Sequence, residues 1–514
     1  MFYSILFPTR EQYERPLRTE PPDCFKDLNL DQVFSPILKS KKEFGLEGFF
    51  YTSLSDREII VYRQDVMKDL EDDDLRGQLA DFSRDVHALG GRMETIVKAL
   101  ASEDSSDNNY LTKGRLLDCA DRYRREISSL AEKLGRAGLR SRGLRGFAGY
   151  LLGYRDSEEF RGLAARVGRL REELSTVKYN MLVKSDTIRV RKYEGEEDHS
   201  KQILAVFEKF RQGGVQDYRQ PQSEEPYAAH VEAAVLDLVA RLYKDIFSDL
   251  DTFCGQSLNF LDETVARFSR DIQFYLSWLE LIRPLQEAGL LFNDPELCDT
   301  AERLYDLGGF DLALALQARG QTVTNDFKLD APERILVVTG PNQGGKTTFA
   351  RAFGQQHWLA SLGLRVPGRK AALYLFDRIF THFGREEDLS TLNGKLQDDL
   401  VRLHGILKKA TGRSILIINE IFSSTTLSDA LLLGGHMMDA VAALGAPAVV
   451  VTFLDELASH GPETVSMMST VREDDPAQRT YKIVRKPPDG LAYAMYLAGK
   501  HGLTYEQLDR RLKR

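Results

Sequence analysis

One short run constrains this 514-residue chain more than any other: Gly340-Pro341-Asn342-Gln343-Gly344-Gly345-Lys346-Thr347. It fits G-x-x-x-x-G-K-[ST] without a gap, follows the apolar run Ile335-Leu336-Val337-Val338-Thr339 and precedes a helical pattern. A strand therefore ends in a glycine-rich turn that opens a helix. Glycines let such a backbone wrap an anion with its amides pointing inward, and the helix N-terminus adds positive potential. Lys346 is placed to reach the β- and γ-phosphates of a nucleotide, and the Thr347 hydroxyl to ligate magnesium. The implied ligands are ATP and Mg2+, held by the residues of the run together with Thr348. The competing reading is an ordinary glycine-rich strand-to-helix turn.

The surroundings of the run favour the first reading. Ser414-Ile415-Leu416-Ile417-Ile418 and Ala448-Val449-Val450-Val451-Thr452 read as further buried strands, with a helix between them from about Leu427 to Leu444. Continuous apolar strands separated by helices predict a mostly parallel sheet covered on both faces, an α/β P-loop NTPase domain. Glu420 follows the second strand at its C-terminal end, where ligands bind in open α/β sheets. It is the candidate general base for the attacking water and lies beside the magnesium position; the alternative is a solvated loop carboxylate. Asn419 stands where the magnesium-side residue is normally Asp. It can serve a metal through water, but an amide adds no negative charge, so slow turnover is expected.

The preceding half reads as helix after helix. Apolar residues recur at helical spacing from Ser55 to Leu70, with Ser55 and Glu58 as a capping box, and again from Pro226 through Val231, Val235, Leu238 and Leu242 to Leu250. After a break near Gly255 the pattern resumes over Leu261, Val265, Phe268, Ile272 and Leu276. Such helices span tens of Å at ~1.5 Å per residue and suit a lever or stalk. Met181-Leu182-Val183 and Thr187-Ile188-Arg189-Val190 interrupt them as a small hairpin.

Length implies roughly two to four domains. A net charge of -8 argues against a uniformly basic nucleic-acid binder, so any such contact must be local. Two basic segments qualify: Arg136, Arg140, Arg142 and Arg145 among glycines, and Lys184, Arg189, Arg191 and Lys192 on the hairpin. Cys24, Cys119, Cys254 and Cys298 lie far apart with no C-x-x-C pair, which suits a reducing cytoplasm rather than a disulfide or zinc framework. No run of about 18 apolar residues occurs, so no membrane span is expected and the predicted location is cytoplasmic.

Thr339-Gly340-Pro341-Asn342-Gln343-Gly344-Gly345-Lys346-Thr347-Thr348 resembles the Walker A segment of the MutS family of DNA mismatch-repair ATPases, T-G-P-N-M-G-G-K-S-T. Asp377-Arg378-Ile379-Phe380-Thr381 is similar to that family's D-R-I-F-T run, and Asp388-Leu389 to its acidic-Leu pair. Ile421 to Asp429 resembles the loop after Walker B, with Ser423-Ser424-Thr425-Thr426 for the usual Gly-Thr-Ser-Thr. Gly490-Leu491-Ala492 resembles the terminal S-Y-G-L-A segment. The likeness is strong from about Asn325 to Gln507 and weaker from Phe34 to Phe292. It implies an N-terminal segment (1–30), a helical lever domain with a reduced clamp-like hairpin near 178–192 (31–322), and an ABC/MutS-type ATPase domain (323–514). It further implies a homodimer through the ATPase domains, with ATP at the interface moving levers on DNA. The chain begins near the lever, so mismatch reading is not expected to carry over.

Three positions depart from the family pattern. Asn419 replaces the Walker B Asp. By counting, the signature Ser-Thr falls on Gly394-Lys395, leaving only backbone amides at the start of a helix capped by Asn393. The switch histidine after a Thr is Phe453, following Thr452. Phe327, after Asn325-Asp326, is where the family's chain passes the adenine; it stacks on the base or belongs to the core. The predicted function is a DNA-binding ATPase. The alternative is a nucleotide-gated scaffold with negligible hydrolysis that grips a protein partner.

Overall fold

The computed structural model describes residues 2–102, 109–184, 187–195, 226–384, 394–472, 478–488 and 503–512. Asp388-Leu389, Asn393 and Gly490-Leu491-Ala492 lie outside these residues. Two compact units are present: Gly77–Leu139 with Gly146–Arg270, and Phe2–Arg76 with Arg140–Arg145 and Asp271–Arg514.

Along the chain, α1 (Arg57–Asp69) precedes the long helices α2 (Asp73–Ala101) and α3 (Tyr110–Arg136), then α4 (Arg142–Arg155) and α5 (Glu158–Ser175). The cap of α1 is Asp56 rather than Ser55: its extended backbone lets the carboxylate accept the Glu58 N–H at 2.9 Å. Asn109 and Ser157 cap α3 and α5 in the same way. In the first unit, α3 buries Leu116, Ala120, Tyr123, Ile127, Leu130 and Leu134, and α5 buries Phe160, Leu163, Val167 and Leu170, both one helical stripe. The hairpin β1 (Tyr179–Lys184) and β2 (Thr187–Lys192) follows, then α6 (Pro226–Leu242), α7 (Lys244–Gln256) and α8 (Glu263–Glu287). The helical run read from Pro226 to Leu250 thus breaks already at Tyr243, and again after Gln256. Phe147 of α4 stacks on Phe268 of α8 with ring centroids 3.5 Å apart.

In the second unit, β3 (Glu296–Cys298), β4 (Arg303–Gly309), β5 (Asn325–Asp330) and β7 (Lys370–Tyr374) form a four-stranded sheet in the order β3-β7-β4-β5. The main sheet has six strands. These are β6 (Ile335–Thr339), β8 (Ile379–Phe383), β9 (Ile415–Asn419), β10 (Ala448–Val451), β11 (Thr464–Val471) and β12 (Arg479–Arg485), in the order β8-β9-β10-β6-β11-β12. All neighbours are parallel except the terminal β11–β12 pair. Every residue of β6, β9 and β10 is buried, as their unbroken apolar runs require.

Helix α9 (Lys346–Ser361) leaves β6 and is buried on nearly every side from Phe349 onward. Its Gln355 amide donates to the Leu28 carbonyl (2.8 Å) and its Trp358 indole to the Phe50 carbonyl (3.1 Å), so the N-terminal segment packs over it. Helices α10 (Lys395–Lys409) and α11 (Leu427–Leu444) complete the layer around β9 and β10. By length and composition alone α11 is apolar enough to cross a membrane, but it carries Asp429 and Asp439 and sets Ala430, Met437, Met438 and Val441 into the sheet's core.

Candidate functional site

The loop between β6 and α9 is shaped by its glycines. Gly340 (φ 112°) and Gly345 (φ 91°) are left-handed, and a Cβ on Gly344 would fall 2.2 Å from the Ser469 hydroxyl. That hydroxyl donates to the Gly344 carbonyl at 2.7 Å, so β11 braces the loop from below. Arg479 of β12 adds a second brace, Nε to the Asn342 carbonyl at 3.1 Å.

Lys346, only 4% exposed, donates to the Gly340 and Pro341 carbonyls at 2.9 and 3.0 Å. Its Nζ also lies 4.2 Å from the centre of the Phe453 ring. Burial lowers its pKa to about 8, against the field of Glu420, which raises it; Arg479 lowers it further. The Thr347 hydroxyl donates to Asn419 Oδ1 at 2.9 Å, bringing the predicted magnesium-side pair together. Glu420 turns out of β9 with φ 56°, its N–H held by the Val451 carbonyl at 2.9 Å, and it lines the same cleft. Among the described residues no cluster of three or more His, Cys, Asp or Glu side chains is built to hold a metal. The donors here, one hydroxyl, one amide oxygen and one carboxylate, suit magnesium only when phosphate oxygens and water complete its shell.

The cleft measures ≈ 760 Å³, within the usual range for a small-molecule site. Beyond the loop it is walled by Leu314, Thr322, Val323 and Tyr481. Phe327 does not line it. That ring is buried against Phe353 and His357, at 4.9 and 6.4 Å between centroids, because alternation along β5 turns it into the core; the core reading of Phe327 is the one realised. Tyr481 takes the open position instead. It is 51% exposed with its backbone left-handed (φ 59°). Asn325 fixes that conformation, donating to the Tyr481 carbonyl (3.2 Å) and accepting the Ile483 N–H (2.8 Å).

A family profile for MutS domain V matches residues 336–504. The DNA mismatch repair protein MutS of Thermotoga sp. is 28% identical over 264 residues, 49% of this chain and 32% of that protein. Endonuclease MutS2 of Thermus thermophilus is 34% identical over 194 residues, 37% of this chain and 25% of that protein. MutS of Shouchella clausii is 25% identical over 300 residues, 57% of this chain and 33% of that protein. Residues 336–504 are thus a MutS domain V segment. The chain spans a third or less of the length of each of these MutS-family relatives.

The remaining predicted positions are distributed unevenly in the fold. Gly394 precedes α10 with no side-chain cap, and Lys395 opens the helix. The strand-to-strand register of the hairpin sets Lys184, Arg189 and Arg191 on one face, opposite Thr187, Leu182 and Asn180. Lys192 falls on the other face, over the Tyr243 ring at 4.9 Å. In the second basic segment two of the four guanidiniums are ion-paired. Arg136 pairs with Glu132 and Arg142 with Glu58, while the Arg140 N–H binds the Asp69 carboxylate and Arg145 Nε the Ser141 carbonyl. Ser469, Arg479 and Tyr481 were not legible as site residues. They lie more than 120 residues beyond the loop, and the β6–β11 and β11–β12 pairings bring them to it.

Proposed function

We propose that this chain is a MutS-like ATP-binding protein and a slow ATPase, in which ATP binding and hydrolysis at a dimer interface move helical levers along DNA, without mismatch reading. The observation that carries the reading is the convergence of the glycine cradle, Lys346, Thr347 and Glu420 on one cleft, with Asn419 bonded to Thr347 behind it. The amides and Lys346 take the phosphates. Thr347 would hold the magnesium that accompanies ATP, with Asn419 serving it through water, and that ion would neutralise charge on the phosphate oxygens. Glu420 accepts the proton of the attacking water. Tyr481 and Val323 form the seat for the base, where aromatic stacking is tolerant of base identity.

Exposed Leu400 and Val401 on α10, Leu427 and Leu432 on α11, and Phe453 support an interface through the ATPase domains. The helices between Gly77 and Arg270 supply the levers, and the Lys184, Arg189 and Arg191 face of the hairpin supplies phosphate contacts to DNA. The proposed division is 1–30, 31–322 as lever domain and 323–514 as ATPase domain, in a protein working in the cytoplasm.

The scaffold reading is favoured by one feature, the neutral amide of Asn419 on Thr347. Turnover separates the two. Under the ATPase reading Glu420→Gln lowers steady-state turnover by about 10²–10⁴-fold, the contribution of a positioned general base. Asn419→Asp raises it. Turnover that is unmeasurable in the wild type and both variants would leave the scaffold.

A further inference from the structure

Among the described residues, a cluster of five arginines is not visible to a linear reading. In the first unit a groove of ≈ 890 Å³ runs between α2, α3 and α5, lined by Arg92, Arg115, Arg122, Arg125 and Arg171. Asp118 is the one carboxylate in its lining. These five arginines come from three helices and are separated by up to 79 positions, so no basic run announces them.

Two populations can be told apart. Arg122 is held by Asp85 at 3.1 Å and Arg125 by Asp121 at 3.1 Å, while Arg171 reaches both Asp118 and Asp121. Asp121 is itself shared with Arg124. The carboxylates are thus outnumbered, and they fix guanidinium forks in place rather than cancel them. Arg92 and Arg115 are exposed and have no ion-pair partner among the described residues. On α3, Arg115, Arg122 and Arg125 share one helix face, with Asp118 between the first two. Arg115 and Arg122 are ~10.5 Å apart along the helix axis. On the facing wall, α2 presents Ala88, Gly91 and Thr95, and a Cβ on Gly91 would meet nothing within 4 Å, so the groove stays open.

We propose that this groove binds the phosphodiester backbone of a nucleic acid, a contact separate from the hairpin. Guanidiniums drawn from three helices around one open groove match a polymer of repeated anions. Contacts to phosphate oxygens carry no sequence information, so the contact is expected to be independent of sequence. The inference rests on the DNA-binding reading above and adds a second site to it.

The test is fluorescence anisotropy of the full chain with a labelled DNA duplex, titrated at several salt concentrations. Arg92→Glu/Arg115→Glu is compared with wild type and with Arg189→Glu/Arg191→Glu. Removing two phosphate contacts should flatten the slope of log affinity against log salt by ~2 and weaken binding at least about tenfold near 100 mM salt. ATP retention should not change. A milder Arg92→Gln/Arg115→Gln pair, with an unaltered melting temperature, separates lost contact from lost fold and should show a smaller loss of the same sign. If wild type binds DNA and both groove variants bind it with the same affinity and slope, the groove assignment is overturned while the hairpin stands. If wild type fails to bind DNA, the DNA reading falls and this inference with it. Displacement of the DNA by an acidic polyglutamate peptide, lost in the groove variants, would assign the groove to a protein partner and overturn the nucleic-acid assignment.

Discussion

On the phosphate side of the cleft every motif position carries the expected residue, and the loop is braced twice, by Ser469 and by Arg479. On the hydrolytic side Asn419 offers an amide to Thr347, Phe453 sits on Lys346, and α10 opens with Gly394 and Lys395. The two sides teach different things. Phosphate binding is specified by backbone geometry, which glycines set locally. Hydrolysis depends on charge delivered from separate strands, and there the chain departs. Binding should therefore be robust and turnover fragile.

The largest expected effect tests the robust side. Lys346→Ala removes a charge-assisted contact to phosphate worth ~2–3 kcal/mol, so ATP retention should weaken about a hundredfold. Equilibrium dialysis or calorimetry reads this directly. Equal retention by the variant would break the contrast at its stronger end.

A pH titration probes the same residue without mutation. Because the pKa of buried Lys346 is lowered to about 8, its charge is lost as pH rises through that value, and ATP retention should fall across the same window. The stability of the free chain moves the other way. A lysine with a depressed folded pKa destabilises while charged, so this group adds stability as pH climbs from about 8 toward its ordinary value of 10.5. Glu420→Gln should shift the binding midpoint downward, since that carboxylate raises the lysine's pKa. A midpoint that stays fixed would separate the two groups electrostatically.

How much was legible in the chain follows the same division. The strands β6, β9 and β10 and the loop between β6 and α9 were readable because their signal is contiguous: apolar runs, glycines, a lysine. The β3-β7-β4-β5 sheet was not, since its strands are short and broken by exposed polar residues such as Arg303 and Asp326. Phe327 shows the limit at one residue. Its place in the sequence suited either a base or the core, and only strand register decided. The basic segment from Arg136 to Arg145 shows the converse. A run of cations announces charge but not its partners: Arg142 pairs with Glu58, 84 positions away.

Tyr481 sharpens the comparison at the base end. Stacking on an aromatic ring is worth ~1–3 kcal/mol, so Tyr481→Ala should weaken ATP about tenfold while Tyr481→Phe is nearly neutral. Inorganic tripolyphosphate should bind both variants as it binds wild type. Equal losses for ATP and tripolyphosphate would mean that the β11–β12 hairpin supports the loop rather than the base.

The smallest effect decides what Phe453 does, and its sign matters more than its size. In the free chain the Lys346 ammonium is satisfied three ways, by the Gly340 and Pro341 carbonyls and by the Phe453 ring. To meet a β- or γ-phosphate it must give up part of that shell. If the ring belongs only to the free arrangement, it competes with nucleotide, and Phe453→Leu should tighten ATP by about two- to fivefold, the worth of a ~0.5–1 kcal/mol cation–π contact. A leucine keeps the apolar bulk, so the change isolates the ring's charge distribution from its volume. If the ring stays over the ammonium while phosphate is bound, the same substitution weakens binding instead, by removing support for the charge. Tightening places Phe453 with the residues that resist the nucleotide, on the hydrolytic side of the contrast; weakening moves it to the phosphate side and narrows the difference between the two.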